Sequence, residues 1–433
     1  MDAHDRATLR APPKRRGVLV RNVVVLGLVS LLTDAASEIV IPLLPAFLAT
    51  MGAGALALGI IEGVADFVAS LLKLAAGAWS DRVGKRRPFV VAGYSLSSAV
   101  RPLYALASGV GFVLAIRVAD RVGKGLRTSP RDALLASSVP EAQRGAAFGL
   151  HRAMDHAGAV IGPLIAFALL ASGVRDLRAV FLATAVPGAL AVLLVVFAVR
   201  DASAVPAHDT SPQAEASPVG EGVSAAAASS PGTSPHDPGS PPREPLAVGA
   251  LARVLVPLGL FTLGRASDTF LLLRVGESDG RVLVLPLLWM GLHAVKSASS
   301  VFGGRLADRF GRRPVIVAGW ILFALVSAGL ALAKSHAMIV TLFLLYGLHH
   351  GLTEGAEKAL VAGVAARARH GAAFGWYHAS QGLVGLVANV AFGALWASFS
   401  ATVAFGASAV VATSAALLLV VLARAPAAAA SGP

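Results

Sequence analysis

The chain has 433 residues, of which 56% are hydrophobic and only 14% are charged. Because a soluble domain carries roughly 25% charged residues, most of this chain cannot face water. Its formal net charge of +13 comes from basic residues that cluster in short loops between apolar segments. That pattern is typical of cytoplasmic loops and argues against a nucleic-acid partner. The chain contains no cysteine, which excludes disulfides and thiolate metal sites.

Twelve segments are apolar enough to cross a bilayer, which takes about 20 residues. A basic stretch ahead of the first segment, without a clear cleavage site, favours a retained first helix over a signal peptide. We number the segments spans 1 to 12. The first six lie at about 20–48, 54–79, 88–107, 110–137, 145–171 and 178–199. The last six lie at about 248–273, 282–306, 314–333, 337–364, 371–397 and 401–423.

A stretch rich in Pro, Ser, Ala and Gly separates the two sets of six spans. It has no apolar periodicity and predicts a disordered linker. The expected domains are a tail at 1–19, a six-helix bundle at 20–200, the linker at 201–245, a second bundle at 246–424 and a tail at 425–433.

The loop after span 2 contains a motif that returns after span 8. The first copy has Gly77, Asp81, Arg82, Gly84 and Arg86, and the second has Gly304, Asp308, Arg309, Gly311 and Arg312. The two aspartates are 227 residues apart, and a second repeat, Gly-Ala-Ala-Phe-Gly, occurs at 145–149 and 371–375. Repeats at nearly one offset indicate two similar halves, which is a known transporter layout.

The repeated pattern G-x-x-x-D-R-x-G-(R/K)-R resembles the cytoplasmic loop motif of the major facilitator superfamily. The resemblance implies an all-α membrane protein with twelve transmembrane helices in two pseudo-symmetric six-helix bundles. It implies alternating access for a small-molecule substrate, with spans 1, 4, 7 and 10 lining the cavity; we expect a monomer without a cofactor. In the family the motif aspartate lies near a helix N-terminus, where an anion is favoured. Both motifs are therefore expected to act as conformational latches.

Span 5 contains Gly158, Gly162 and Pro163 in an order similar to part of the antiporter motif of drug-exporting members. This similarity suggests a bacterial, antiporter-like protein and favours efflux over uptake. The chain has no nucleotide-binding P-loop and no nucleophile motif. We therefore expect a secondary transporter and not an enzyme.

The basic loops indicate the orientation in the membrane. The N-terminal tail and the loops at 81–87, 309–313 and 367–370 are basic and fall on one side when the spans are counted in order. The positive-inside rule places that side in the cytoplasm. We expect a multi-pass protein of the cell (inner) membrane with both termini cytoplasmic.

Three carboxylates in spans 1 and 7 are candidates for proton coupling. Asp34 and Glu38 lie one turn apart on one helix face, and Asp268 has a comparable place in the second half. Ionisable groups inside spans are costly and usually face a water-filled cavity or a partner. We expect Asp34, Glu38 and Asp268 to bind the transported proton.

Further polar residues recur on the faces of spans 2, 4, 8, 10 and 11. A stripe on span 2 maps onto a polar stripe of span 8, which suggests a shared inner surface; structural pairing is the alternative. At the end of span 4, Arg127 and Arg131 are long enough to extend to lipid headgroups. The expected substrate cavity contains Glu62, Asp66, Arg117, Arg121, His293, Lys296, His350, Glu354, Gln381 and Asn389.

The chemistry of the substrate stays open at this stage. His350 and Glu354 have i, i+4 spacing, but no zinc-site pattern accompanies them, so we expect no resident metal. The cations of span 4 suggest an anionic solute, whereas the acids and histidines allow a cation or a metal complex. An importer of an anionic or metal-complexed solute, and a transporter-derived sensor or scaffold without transport, are the alternatives.

The repeat also predicts a gate. Arg131 and Asp132 of span 4 align with Glu357 and Lys358 of span 10, with both charges reversed. We expect Arg131–Glu357 and Asp132–Lys358 contacts to close the cytoplasmic side and to break when it opens. Headgroup-facing charges are the alternative.

Overall fold

The structure is a computed structural model in which residues 21–139, 144–200, 248–279, 281–364 and 370–424 are described. Across these ranges the ordered elements are helices, and no strand occurs among them. The predicted tails at 1–19 and 425–433 and the predicted linker at 201–245 lie outside the described residues.

The first half contains eight helices that make up spans 1 to 6. They are α1 (Arg21–Val40), α2 (Leu44–Thr50), α3 (Ala55–Val83), α4 (Arg87–Val100), α5 (Val110–Ser137), α6 (Arg144–Ala171), α7 (Leu177–Leu182) and α8 (Ala185–Ala198). Span 1 is α1 and α2, joined by a 3-10 turn at Pro42. Span 2 is α3, span 3 is α4 with the 3-10 turn that follows it, span 4 is α5, span 5 is α6, and span 6 is α7 and α8.

The second half contains seven helices that make up spans 7 to 12. They are α9 (Val248–Gly264), α10 (Thr269–Asp279), α11 (Leu285–Phe310), α12 (Arg312–Leu332), α13 (His336–Gly363), α14 (His370–Ser398) and α15 (Ala401–Arg424). Span 7 is α9 and α10, and spans 8 to 12 are α11 to α15. Within the described part of the chain, nine spans are long and apolar enough to cross a membrane by themselves. Spans 3, 4 and 10 lie between them in sequence.

Span 7 is broken in its middle, where the sequence predicts one continuous helix. The break covers residues 265–268. Serine and aspartate compete with the helical backbone for hydrogen bonds, and the hydroxyls of Ser267 and Thr269 lie 2.9 Å apart. The Ser267 amide donates to the side-chain oxygen of Asn389 in span 11 at 2.7 Å. That bond replaces one the helix would have made, as irregular backbone at membrane depth requires.

Small residues bring the two bundles together along spans 2 and 11. A Cβ added at Gly59 would lie 2.3 Å from the carbonyl oxygen of Asn389, and one added at Gly393 would lie 2.6 Å from that of Ala55. Glycine at these positions lets the two backbones touch. Spans 5 and 8 form a second contact between the bundles.

The side of the molecule away from the chain ends is closed by apolar packing. We call it the far side, and the side where residues 21 and 424 lie the terminal side. One buried cluster joins Leu43, Phe47 and Phe181 of the first bundle to Phe270 and Trp396 of the second. A separate cluster fills only the first bundle toward the terminal side. The bundles therefore share an apolar core at the far side, and spans 2 and 11 stay in contact toward the terminal side, where an added Cβ at Gly375 would lie 3.3 Å from the Leu74 side chain.

Candidate functional site

A cavity of about 470 Å³ lies between the bundles, from mid-membrane toward the terminal side. Pockets for small organic molecules are typically about 300–1,000 Å³, so this one has a suitable size. Its walls come from spans 1, 2, 4, 5 and 8. The ionisable residues that line it are Asp34, Glu38, Lys73, Lys124, Arg127, Arg131, Asp132, His151, Arg152, Asp155, His156 and His293.

The wall between spans 1 and 5 is built on two glycines. A Cβ added at Gly158 would lie 2.4 Å from the carbonyl oxygen of Leu31, and one added at Gly162 would lie 2.4 Å from that of Ala35. Because these positions are glycine, the backbones of spans 1 and 5 pack directly against each other. The adjacent face of span 1, which carries Asp34 and Glu38, lines the cavity.

The two carboxylates of span 1 lie on that face. Asp34 and Glu38 are both partly buried and line the cavity. The indole N–H of Trp289 in span 8 donates to Glu38 at 2.5 Å, so Glu38 links the two bundles at the inner end of the cavity. The predicted proton-binding residues of span 1 are thus placed where water from the terminal side can reach them. Their role stays a prediction.

The wall from span 4 is strongly basic. Arg127 is buried: it donates to the Ser97 hydroxyl at 2.7 Å, and its guanidinium carbon lies 4.6 Å from the centre of the Tyr94 ring. The expectation that Arg127 extends to lipid headgroups is therefore wrong. The reason is that span 3 packs closely on this face of span 4: a Cβ added at Gly93 would lie 2.7 Å from that of Arg127. Span 3 therefore covers the Arg127 side chain.

Four of the predicted cavity residues form ion pairs between spans 2 and 4. Glu62 and Arg117 are 2.9 Å apart, and each side chain is 3% exposed. One turn further, Asp66 and Arg121 are 3.3 Å apart, with the Asp66 side chain 52% exposed. Both pairs lie outside the lining of the cavity. The alternative of structural pairing fits the Glu62–Arg117 pair best.

Asp268, in the break of span 7, is held by three side chains of its own bundle. Lys296 of span 8 forms a salt bridge with it, the Tyr346 hydroxyl donates to it at 2.7 Å, and His350 Nε2 lies 3.5 Å away. Lys296 and His350 thus meet at the same carboxylate, and their place in a substrate cavity stays a prediction. Their contacts are with Asp268 and not with the lining of the cavity, whose contribution from span 8 is His293.

The other predicted cavity residues bond within the second bundle. Gln381 accepts a hydrogen bond from Thr262, and Asn389 holds the Ser267 amide. Glu354 pairs with Lys358 at 2.8 Å. Among the described residues, no group of three or more His, Cys, Asp or Glu side chains is placed to hold a metal ion.

The predicted gate contacts are not formed in this conformation. Arg131 pairs with its neighbour Asp132 at 2.8 Å, Glu357 accepts from the Trp320 indole at 2.9 Å, and Lys358 pairs with a residue of its own helix. The gate therefore stays a prediction for a conformation in which the terminal side is closed.

The two loop motifs end spans 2 and 8 in similar ways. Gly84 and Gly311 have φ angles of 68° and 89°, which favour glycine. Arg86 donates to the Ala133 carbonyl near the end of α5 at 3.3 Å, and Arg312 donates to the Ala359 carbonyl near the end of α13 at 2.7 Å. Cations are favoured at these carbonyl ends.

Other motif residues give less information. Gly77 lies against span 4, with an added Cβ 3.2 Å from that of Ser129, whereas Gly304 has open space. Arg309 stacks near Phe310 at 5.2 Å, and Arg82 is exposed. The side chains of Asp81 and Asp308 lie outside the described part of the structure, so the latch stays a prediction.

Span 5 supplies cavity residues that the predicted set lacks. Arg152 and Asp155 line the cavity, and Asp155 accepts from Ser30 and lies 3.6 Å from His151 Nδ1. The sequence carries a signal for them, since four ionisable residues fall within two turns of an otherwise apolar span. Lys73, Lys124 and Arg127 were likewise visible as charges on spans 2 and 4.

Comparison with known proteins gives one consistent result. The family model of the Major Facilitator Superfamily matches residues 26–273 and 284–433. An MFS-type transporter of Methanocaldococcus jannaschii is 30% identical over 385 residues, which cover 87% of this chain and 89% of that protein. Multidrug resistance protein MdtH of Edwardsiella ictaluri is 34% identical over 125 residues, 29% of this chain and 31% of that protein.

Solved structures give the same fold. The crystal structure of a bacterial homologue of the human lysosomal transporter Spinster, in an inward-facing and unoccupied conformation, has a TM-score of 0.65 at 15% identity. The match covers 94% of this chain and 96% of that chain. The predicted fold class, twelve transmembrane helices in two six-helix bundles, is confirmed.

Proposed function

Because the chain belongs to the major facilitator superfamily, we propose that it moves a small solute across the membrane by alternating access, coupled to protons that bind at Asp34 and Glu38, with Asp268 as the third candidate residue. It is a multi-pass membrane transporter of a family that does not consist of enzymes. The observation that supports the coupling is the position of these two carboxylates. They face one cavity between the bundles, and Glu38 also bonds to the opposite bundle through Trp289.

This arrangement supports coupling for a physical reason. A carboxylate in a partly buried site is costly to keep charged, so it binds a proton readily when water is excluded and releases it when the site is wet. Loss of the Glu38 charge also weakens the hydrogen bond from Trp289, since a charged acceptor makes the stronger bond. Proton binding would thereby alter the contact between bundles that alternating access must break.

We place the protein in the cell (inner) membrane, with its terminal side facing the cytoplasm. The positive-inside rule supports this orientation, because the basic loop motifs lie at that side. The cavity would then be open to the cytoplasm, and the closed far side would face outward. A monomer with both termini in the cytoplasm fits this arrangement.

Efflux is supported by the partial likeness to MdtH and by the glycines of span 5. The second candidate, uptake of an anionic solute, is favoured by a different observation, namely the five Lys and Arg side chains around the cavity. A sensor or scaffold without transport has no need for titratable groups at mid-membrane.

Reconstitution into proteoliposomes tests the coupling. A pH gradient is imposed, the membrane potential is clamped, and proton movement is followed inside the vesicles during addition of carboxylate, phosphate, sugar and quaternary ammonium solutes. We expect Asp34→Asn, Glu38→Gln and Asp268→Asn to abolish gradient-driven movement, while exchange of bound solute persists. Glu277→Gln is the matched control. Glu277 accepts a hydrogen bond from the Trp396 indole, as Glu38 does from Trp289, but it is exposed and lies at the far side.

Unchanged pH dependence in all three variants would show that the coupling residues are wrongly assigned. Glu62 and Asp66 would then be the next candidates. No solute-dependent proton movement in the unmodified protein, over the whole set of solutes, would favour the sensor or scaffold.

A further inference from the structure

We propose that the cavity binds an anionic solute, of carboxylate or phosphate chemistry, and that the anion binds together with protons on Asp34 and Glu38 and not in competition with them. This proposal rests on the proposed function, because it assigns the substrate class of the same cavity. It also favours uptake over efflux, because a solute that binds together with the proton is carried in the same direction as the proton.

The charges around the cavity support an anion. The lining has five Lys and Arg side chains against four Asp and Glu side chains. With every carboxylate ionised the net charge is +1, and with Asp34 and Glu38 protonated it is +3. Three histidines in the lining can only add to this positive charge.

The pairing of these charges strengthens the argument. Of the four acids, Asp132 is engaged by Arg131 at 2.8 Å, and Asp155 accepts from Ser30 and lies next to His151. By contrast, three cations have no ion-pair partner within the described residues. They are Lys73 of span 2, Lys124 of span 4 and Arg152 of span 5.

These three cations come from different walls of one cavity. A solute placed between them would meet ammonium and guanidinium donors from spans 2, 4 and 5, and such donors match carboxylate and phosphate oxygens. Lys124 is exposed to the cavity, and Lys73 is partly buried. A cationic solute would find only Asp34 and Glu38, of which Glu38 already accepts from Trp289.

Proton binding and anion binding reinforce each other at this site. Neutralising Asp34 and Glu38 removes two negative charges from the wall that faces Lys124, Arg127 and His293, and so strengthens the attraction for an anion. By linkage, a bound anion raises proton affinity by the same factor. The charged groups that act on these two carboxylates are Lys124, Arg127 and Arg117 of span 4, Arg101 of span 3 and Asp155 of span 5, of which Arg101 and Arg117 lie outside the lining.

The absence of cysteine allows a test that needs no knowledge of the substrate. Thr128 lines the cavity, so Thr128→Cys places a single reactive thiol there. The rate of reaction with the anionic sulfonate reagent MTSES is divided by that with the cationic trimethylammonium reagent MTSET. Ser172→Cys, exposed at the far side, is the matched control. Because both reagents react with the thiolate of the same cysteine, a difference in thiolate reactivity between the two positions cancels in each ratio.

We expect the MTSES/MTSET ratio to be at least about sevenfold higher in the Thr128→Cys variant than in the control, since a potential of only one kT changes the ratio by e² and protein clefts reach several kT. Adding Lys124→Gln should lower this ratio. Ala159→Cys, at another position of the lining, repeats the measurement if the first variant fails to fold. A ratio in the cavity equal to or below that of the control would overturn the anion assignment.

The pH arm tests the second half of the proposal. The ratio measured at the cavity thiol of the Thr128→Cys variant should rise from pH 8 to pH 6. The histidines contribute to that rise, so the deciding comparison is made at pH 8. There Asp34→Asn combined with Glu38→Gln should give a higher ratio than the unmodified carboxylates. An equal or lower ratio would show that these carboxylates do not control anion binding.

Failure of this proposal and failure of the proposed function can be told apart. Labelling is measured in detergent without any gradient, so an anion preference can persist in a protein that shows no proton-driven movement. Conversely, proton-driven movement of a sugar or quaternary ammonium solute, with no anion preference in the cavity, would keep the proposed function and remove the substrate class.

Discussion

Two ion pairs between spans 2 and 4 provide an internal comparison of buried and exposed charge. Glu62–Arg117 and Asp66–Arg121 are one helical turn apart, but only the first pair is fully buried, with both side chains 3% exposed. In the second pair the Asp66 side chain is 52% exposed. Arg117→Met and Arg121→Met each remove one charge and retain most of the side-chain volume.

The expected effects differ severalfold. At 2.9 Å and an effective dielectric constant of about 20, the attraction between Glu62 and Arg117 is roughly 6 kcal/mol. Removal of one partner leaves the other buried and uncompensated, which costs about 3–5 kcal/mol. An exposed carboxylate is solvated by water when its partner is lost, and such pairs contribute about 0–1 kcal/mol. Arg117→Met should therefore lower the free energy of unfolding far more than Arg121→Met.

The measurement is unfolding in mixed micelles with increasing SDS, followed by tryptophan fluorescence. Glu62→Gln combined with Arg117→Met should recover most of the lost free energy, because neither charge is then left alone. Equal losses in the two arginine variants, or no recovery in the combined variant, would refute the reasoning. Transport by the recovered variant also decides whether this pair is structural or belongs to the substrate path.

Three further predictions concern the moving parts. Replacing both motif aspartates by asparagine should weaken the conformation closed on the terminal side. Double electron–electron resonance between spin labels on that side should then show a shifted distance distribution, and an unchanged distribution would contradict the latch. Arg131→Glu should impair transport, and adding Glu357→Arg should restore part of it; no rescue at normal expression leaves the charge reversal as coincidence. Gly162→Ala should lower thermal stability, because its Cβ would meet the backbone of span 1 at 2.4 Å, whereas Gly149→Ala meets nothing within 4 Å and should be neutral; similar losses in both variants would contradict the close packing.

The architecture could be predicted from the sequence because it is repeated and apolar. The two loop motifs and the apolar lengths together indicate twelve spans in two bundles, and the observed helices agree with the predicted bounds to within a few residues. The main exception is span 7. Its break at 265–268 depends on Asn389, which lies more than a hundred residues away and accepts the Ser267 amide.

The site was only partly predictable, because charge on a helix does not reveal which way it faces. Asp34 and Glu38 could be recognised by their depth in an apolar span. Arg127 could not, since its position near the end of span 4 is equally compatible with headgroups until Gly93 is seen to cover it. The partners of Asp268 come from spans 8 and 10, and only the fold brings them together.

The break in span 7 has a mechanical consequence. α9 packs on helices of its own bundle, whereas α10 also contacts α2 and α3 of the other bundle. A gap in the helical hydrogen-bond ladder allows the two pieces to tilt independently, so we expect the break to act as a hinge. Its pivot is the Ser267 amide on Asn389, and the Ser267 hydroxyl also lies 3.4 Å from Glu62 in the first bundle. When the far side opens, α10 can tilt while α9 stays packed against its own bundle, so span 7 need not move as one rigid helix.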